Sequence, residues 1–154
     1  MYEQTVDNNL FTRHPGIMSE EGFTPPDPSR ERAHREYAGL FRIAERHGST
    51  PEQRARQSHP EMLDPLGAIR LVAALAGGVH SPGPDEPEVD DADVIAALGL
   101  VPKARAEMDQ LEALILRIAR ERGMTWQEIA FGLGLGSTQA ARQRYERLVK
   151  RVDA

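Results

Sequence analysis

Residues Thr125 to Val152, TWQEIAFGLGLGSTQAARQRYERLVKRV, leave the chain little choice of local structure. Thr125 followed three residues later by Glu128 forms a capping box, in which hydroxyl and carboxylate satisfy each other's backbone N–H. Ile129, Ala130 and Leu133 then supply an apolar stripe. Gly134 stands where a helix most often ends in a left-handed residue, a conformation open to glycine without steric cost. Leu135 can fold back over that stop. Ser137 is a suitable N-cap for a second helix reaching about Arg151. Its apolar positions, Ala141, Tyr145, Leu148 and Val152, are spaced four, three and four, so at ~100° per residue they share one narrow face.

The opposite face carries Gln139, Gln143, Glu146 and Lys150, flanked by Arg142 and Arg147. Glutamine pairs bidentately with adenine in the major groove, and arginine with guanine. Ser137 and Thr138, at the helix start, can bond a phosphate or a base edge. Arg144, Arg147, Lys150 and Arg151 can reach phosphates, which positions a helix without reading sequence. Ser137, Thr138, Gln139, Arg142, Gln143, Arg144, Arg147 and Lys150 are therefore the candidate DNA-binding residues. Glu146 can accept from cytosine, orient an arginine or face solvent.

This stretch resembles helix-turn-helix DNA-binding proteins. QEIAFGLGL matches the first helix and turn of that family, with Ala130 where the two helices cross and Gly134 in the turn. The longer run ERGMTWQEIAFGLGLGSTQAARQRYERL is similar to small actinobacterial helix-turn-helix proteins, some of them regulators or nucleoid-associated. The resemblance covers roughly Val101 to Val152, a third of the chain, and implies a major-groove-reading second helix. One departure stands out. The common spacing would bury Ala140, whereas the apolar register here fits Ala141 and Tyr145, so the turn is one residue longer.

At 154 residues the chain fits one domain, or a small domain with tails. There is no cysteine, hence no disulfide framework and no thiolate metal site. No eighteen-residue apolar run or signal-like start is present, so no membrane partner and a cytoplasmic, nucleoid location are expected. The net charge is −5, unusual for a DNA binder, but its distribution is uneven. Residues 113–152 hold eight basic and three acidic side chains, a local net of +5, and the remainder carries −10. An attractive field can thus be local to the C-terminal third. The acidic remainder can also compete with DNA for the basic face, a hypothesis of autoinhibition that deletion of residues 1–90 tests.

Residues 1–29 hold four prolines and no sustained periodicity, and read as a loosely attached arm with a short apolar patch at Leu10 and Phe11. Residues 30–78 read as a helical region. Its first helix, from Ser29 or Arg30 to His47, presents Ala33, Tyr37, Leu40, Phe41 and Ala44 as its apolar face. Its arginines and glutamates are expected to be solvated. A short helix follows Thr50-Pro51, and an apolar helix runs from Pro65 to Ala76. Residues 79–91, with three prolines and a run of acids, read as a linker. The remaining 92–154 form the DNA-binding domain. There Asp91 or Asp93 caps a short helix Val94–Leu98 stopped at Gly99, and Pro102 opens a long helix to Arg122. No strand signal survives. The fold class expected is all-α, a C-terminal helix-turn-helix three-helix unit preceded by a small helical region, without a β-wing.

The five histidines show no ligand spacing beside a carboxylate, and no phosphate-cradling glycine loop precedes a lysine. The expectation is no enzyme, no metal and no cofactor. Two function classes remain: a DNA-binding transcription regulator or nucleoid protein reading the major groove with helix 138–151, or a helical adaptor acting on the transcription machinery. The expected partner is double-stranded DNA. A homodimer through helices Pro65–Ala76 or Pro102–Arg122, and monomeric binding of a short site, both stay open.

Overall fold

The computed structural model describes residues 27–154, and there every regular element is helical. The elements are α1 Pro28–His47, α2 Pro51–Arg54, α3 Pro65–Ala76, α4 Asp91–Glu121, α5 Trp126–Gly132 and α6 Thr138–Val152. The expected all-α class holds, with no strand among the described residues. The arm of residues 1–29, with its Leu10–Phe11 patch, lies outside them except at its end, where Asp27 caps α1 and Pro28 and Ser29 belong to it. Among the described residues no helix is long and apolar enough to cross a membrane.

Side chains set the helix starts. Asp64 accepts the Gly67 N–H at 2.7 Å, and Thr50 with Gln53 forms a capping box. Pro28, Pro51 and Pro65 occupy first turns, where a missing N–H costs nothing. For α4 the expectation needs correction. Its cap is Asp90, with Asp93 as the reciprocal partner of a capping box, rather than Asp91 or Asp93.

The larger correction concerns α4 itself. It runs unbroken for 31 residues, through both Gly99 and Pro102, where a stop and a new start were expected. At ~1.5 Å per residue it is about 46 Å long. Proline inside a helix forfeits the bond to the carbonyl four residues back. Here that residue is Leu98, which is exposed, so water can replace the bond. Packing on both sides of the weak point then holds the helix together.

Two apolar cores sit on this one helix. The first joins Ile43 of α1 with Ala68, Leu71 and Val72 of α3 and Ala97 and Leu100 of α4. The second joins Leu116 of α4 with Ile129 and Ala130 of α5 and Ala141 and Leu148 of α6. Leu100 and Leu116 are sixteen residues apart, which at ~100° each places them about 160° apart around the axis. The two cores therefore lie on opposite sides of α4. Residues 92–100, placed with the DNA-binding domain on sequence, pack into the first core through Ala97 and Leu100.

The face of α1 is only partly the one expected: Leu40 packs against the first core and Ala44 is half-buried. Gly39, Ile43 and His47 are buried, while Tyr37 is 71% and Phe41 57% exposed. Gly39 lets α1 approach α4 closely: a Cβ there would lie 3.2 Å from the Ala96 carbonyl oxygen. Electrostatics turns the helix this way. Arg42 donates to Asp93 at 2.9 Å and to Asp90 at 2.7 Å, and Arg46 pairs with Asp93 at 3.0 Å. These arginines, expected in solvent, clamp α1 to the start of α4.

Beneath them His47 is fully buried, with Nδ1 2.9 Å from Glu86 and Nε2 3.3 Å from Asp93. Arg56 donates to the same Glu86 oxygen at 2.7 Å. Burial alone would raise the Glu86 carboxyl, but hydrogen bonds from Arg56, the Gly83 N–H and His47 outweigh it and bring it down to about 2. Asp93 is likewise pushed up by burial and brought down further, to about 2, by the Asp90 N–H, Arg46 and His47. Residues 79–91, expected as a linker, are thus fastened to the first core through Glu86 and Asp90.

Candidate nucleic-acid interface

The turn between α5 and α6 is fixed by local chemistry. The Thr125–Glu128 capping box is formed, the Thr125 N–H donating to Glu128 at 2.7 Å. Those same bonds hold the Glu128 carboxyl below its ordinary range. Gly134 has φ +66°, the left-handed conformation expected from its position. The Leu135 N–H donates to the Ala130 carbonyl at 2.8 Å and the Gly134 N–H to Phe131 at 3.1 Å, the doubled bond of a Schellman stop. Leu135 folds back onto the second core. Two residues later the Ser137 hydroxyl accepts the Ala140 N–H at 3.2 Å and starts α6.

Packing then sets the rotation of α6. Ala141 is fully buried and Leu148 nearly so, with Tyr145 and Val152 half-buried on the same side. This is the register read from the four-three-four spacing, with Ala141 rather than Ala140 at the crossing. Trp126 anchors α5 against the second core. Its ring lies 5.6 Å from that of Tyr145, and the Arg120 guanidinium sits 4.7 Å above it.

The eight candidate residues are all exposed, but they divide in two. Thr138, Gln139, Gln143 and Lys150 project outward, and their side chains make no hydrogen bond among the described residues. The other four are engaged. Ser137 is the cap. The Arg142 guanidinium lies 5.8 Å from the Trp126 ring, and Arg147 bonds the Gln143 carbonyl at 3.1 Å. Arg144 is held by Glu112 of α4 in a two-pronged pair, one arm at 3.0 Å, and that carboxylate raises its pKa. Arg151, named for phosphate contact, pairs with Asp109, and Arg117 pairs with Asp153 at 3.0 Å.

These acids change the electrostatics read from sequence. Residues 113–152 carry +5, but Asp109, Glu112 and Asp153 flank them in space and bring the local net to +2. The acids expected to oppose the basic face from residues 1–90 are partly committed elsewhere, Glu86 to Arg56 and Asp90 to Arg42. Among the described residues, Asp109 and Glu112 of α4 and Asp153 pair with arginines of this segment. Nothing in the sequence marks that pairing, because Glu112 and Arg144 are 32 residues apart. What the arrangement offers is a rigid helix presenting two amides and one ammonium outward, with arginines at its margins. No protein-family model, no curated protein and no solved structure matches this chain.

Proposed function

We propose that this protein is a helix-turn-helix DNA-binding protein, a transcription regulator or nucleoid-associated protein, that lays α6 in the major groove. The back half of α4 serves as the support helix and α5 as the crossing helix. One observation carries the reading: Gln139, Gln143 and Lys150 stand exposed, and unengaged by any described residue, on the side of α6 opposite its buried Ala141 and Leu148. A solvated face needs no amides at successive turns, whereas adenine is read by such groups. Arg142, at the margin of this face, can exchange its place over Trp126 for a guanine or a phosphate.

Mobility shift across a salt series tests this. Binding should weaken steeply as salt rises, because phosphate contacts release counterions. Arg142→Ala combined with Gln143→Ala should cost specific binding roughly 10- to 100-fold, at ~1–3 kcal/mol for a good bidentate pair, and non-specific binding much less. Indifference to every duplex at low salt would remove the reading and leave the adaptor.

The Glu112–Arg144 pair gives a second expected result. Glu112→Gln frees a cation beside the interface. Non-specific affinity at low salt should rise several-fold, and the salt slope should steepen by about one. Glu112 is mostly covered, but Arg144 stays about half open to water and the amide keeps an acceptor for it, so stability should change by about 1 kcal/mol. An unaltered slope would show that Arg144 never reaches a phosphate.

A further inference from the structure

The back half of α4 carries an apolar stripe that no described element covers. Met108, Leu111, Ile115 and Ile118 are between 38% and 62% exposed, and half-buried Ala104 continues the line upward. The spacing is four, three, four, three, which is the a/d seam of a coiled coil. The second core uses Leu116, with Ala113 buried on the same side, roughly half a turn around the helix from this seam, so α5 and α6 lie on its far side. Along the front half of α4 the seam side continues as Ala97 and Leu100, and there α1 and α3 cover it. The exposed seam begins where the cover by described elements stops.

We propose that this seam joins two copies of the chain, α4 against α4, running antiparallel. Its occupant follows from three observations. A four-three seam is filled best by a helix of the same period, and among the described helices α4 carries the longest uncovered one, α1 exposing only Tyr37 and Phe41 as large apolar side chains. The other candidate helix, α3, spends Ala68, Leu71 and Val72 on the first core. The half-open side chains, with Leu114 at the margin, make a patch on the order of 500 Å², the upper range for a monomer. Two such patches together reach the roughly 1,000 Å² that a specific interface requires. Orientation follows from the covered front half. A parallel partner would drive both copies' α1 and α3 into one another, whereas an antiparallel partner overlaps only along the two open halves. The largest apolar overlap sets Leu111 of one copy against Ile115 of the other, and Met108 against Ile118.

The chain has no cysteine, so single introduced thiols report cleanly. Full-length Leu111→Cys and Ile115→Cys proteins, mixed and mildly oxidised without DNA, should give a covalent dimer of the two. Either alone should give little. Sedimentation across a concentration series should show a dimer for the unmodified chain. The double change Leu111→Glu, Ile115→Glu should give a monomer with unchanged helical circular dichroism, since both side chains are already open to solvent. A monomeric unmodified chain at every concentration overturns the proposal, including the case in which residues 1–26 fill the seam. So does cross-linking confined to like thiols, which requires parallel helices. DNA enters none of these measurements, so their outcome stands apart from whether α6 binds it.

Discussion

Asp93→Ala is expected to destabilise the first core by about 3–5 kcal/mol, the usual cost of removing one member of a buried ion pair. Asp93 is fully buried and takes bonds from Arg42, Arg46, His47 and the Asp90 N–H. Without it, Arg46 and His47 keep their places with less opposing charge, and α4 loses half of its capping box. Asp93→Asn retains an acceptor and should lose less. The same residue fixes the acid limit of the fold. Glu86 and Asp93 titrate near 2 in the folded chain, below their ordinary values of 4.5 and 3.8. Groups with lowered folded values bind more protons when unfolded, so their contribution is complete above the ordinary values. It is lost as pH falls toward 2. Urea unfolding followed by circular dichroism should show stability flat near neutrality and falling from about pH 4 downward. In Asp93→Ala that acid slope should be shallower. A loss under 1 kcal/mol at pH 7, or an unchanged slope, would show that the cluster is not what fastens α1 to α4.

That cluster also marks the limit of what the sequence discloses. Capping boxes, first-turn prolines and the left-handed Gly134 act within a few residues, so their outcome can be read locally. The α5–α6 turn and the burial of Ala141 and Leu148 follow from them. His47, Glu86 and Asp93 are 39 and 46 residues apart, and no spacing rule connects them. The one available sign was complementary: Arg42 and Arg46 one helical turn apart, and Glu86, Asp90 and Asp93 nearly so. With the arginines read as a solvated face, α1 comes out about a quarter turn off, Leu40 still inward but Tyr37 and Phe41 inside as well. Gly99 and Pro102 misled for a related reason. Both are helix breakers by local preference, at ~1 and ~3 kcal/mol, and packing of Ala97 and Leu100 on one side and Ala113 and Leu116 on the other overrides them. Within the candidate interface the outward glutamines were legible. The capture of Arg144 by Glu112 was not, because it depends on how α6 lies across α4.

Leu148→Ala should separate the two cores and test what holds α6 in place. Leu148 is 4% exposed and packs in the second core with Leu116, Ile129, Ala130 and Ala141. Truncating a buried leucine costs about 2–5 kcal/mol, the higher values where the surroundings cannot close the cavity. This core is small, with five buried members, so one side chain is a large share of its stability. The first core contains none of these residues and grips α4 through Ala97 and Leu100. The expected result is therefore a split melting curve: an early loss belonging to α5 and α6, and a later one belonging to α1, α3 and the front of α4. DNA affinity should vanish across the early transition, because the outward glutamines read bases only from a rotationally fixed helix. The Arg142→Ala, Gln143→Ala pair should do the reverse, cutting affinity while leaving both transitions in place. If Leu148→Ala shifts a single transition as a whole, α4 transmits stability between the cores, and Asp93→Ala must then weaken DNA binding too. If it shifts nothing, α6 is held by its ion pairs to α4 instead, and Glu112→Gln becomes the disabling change.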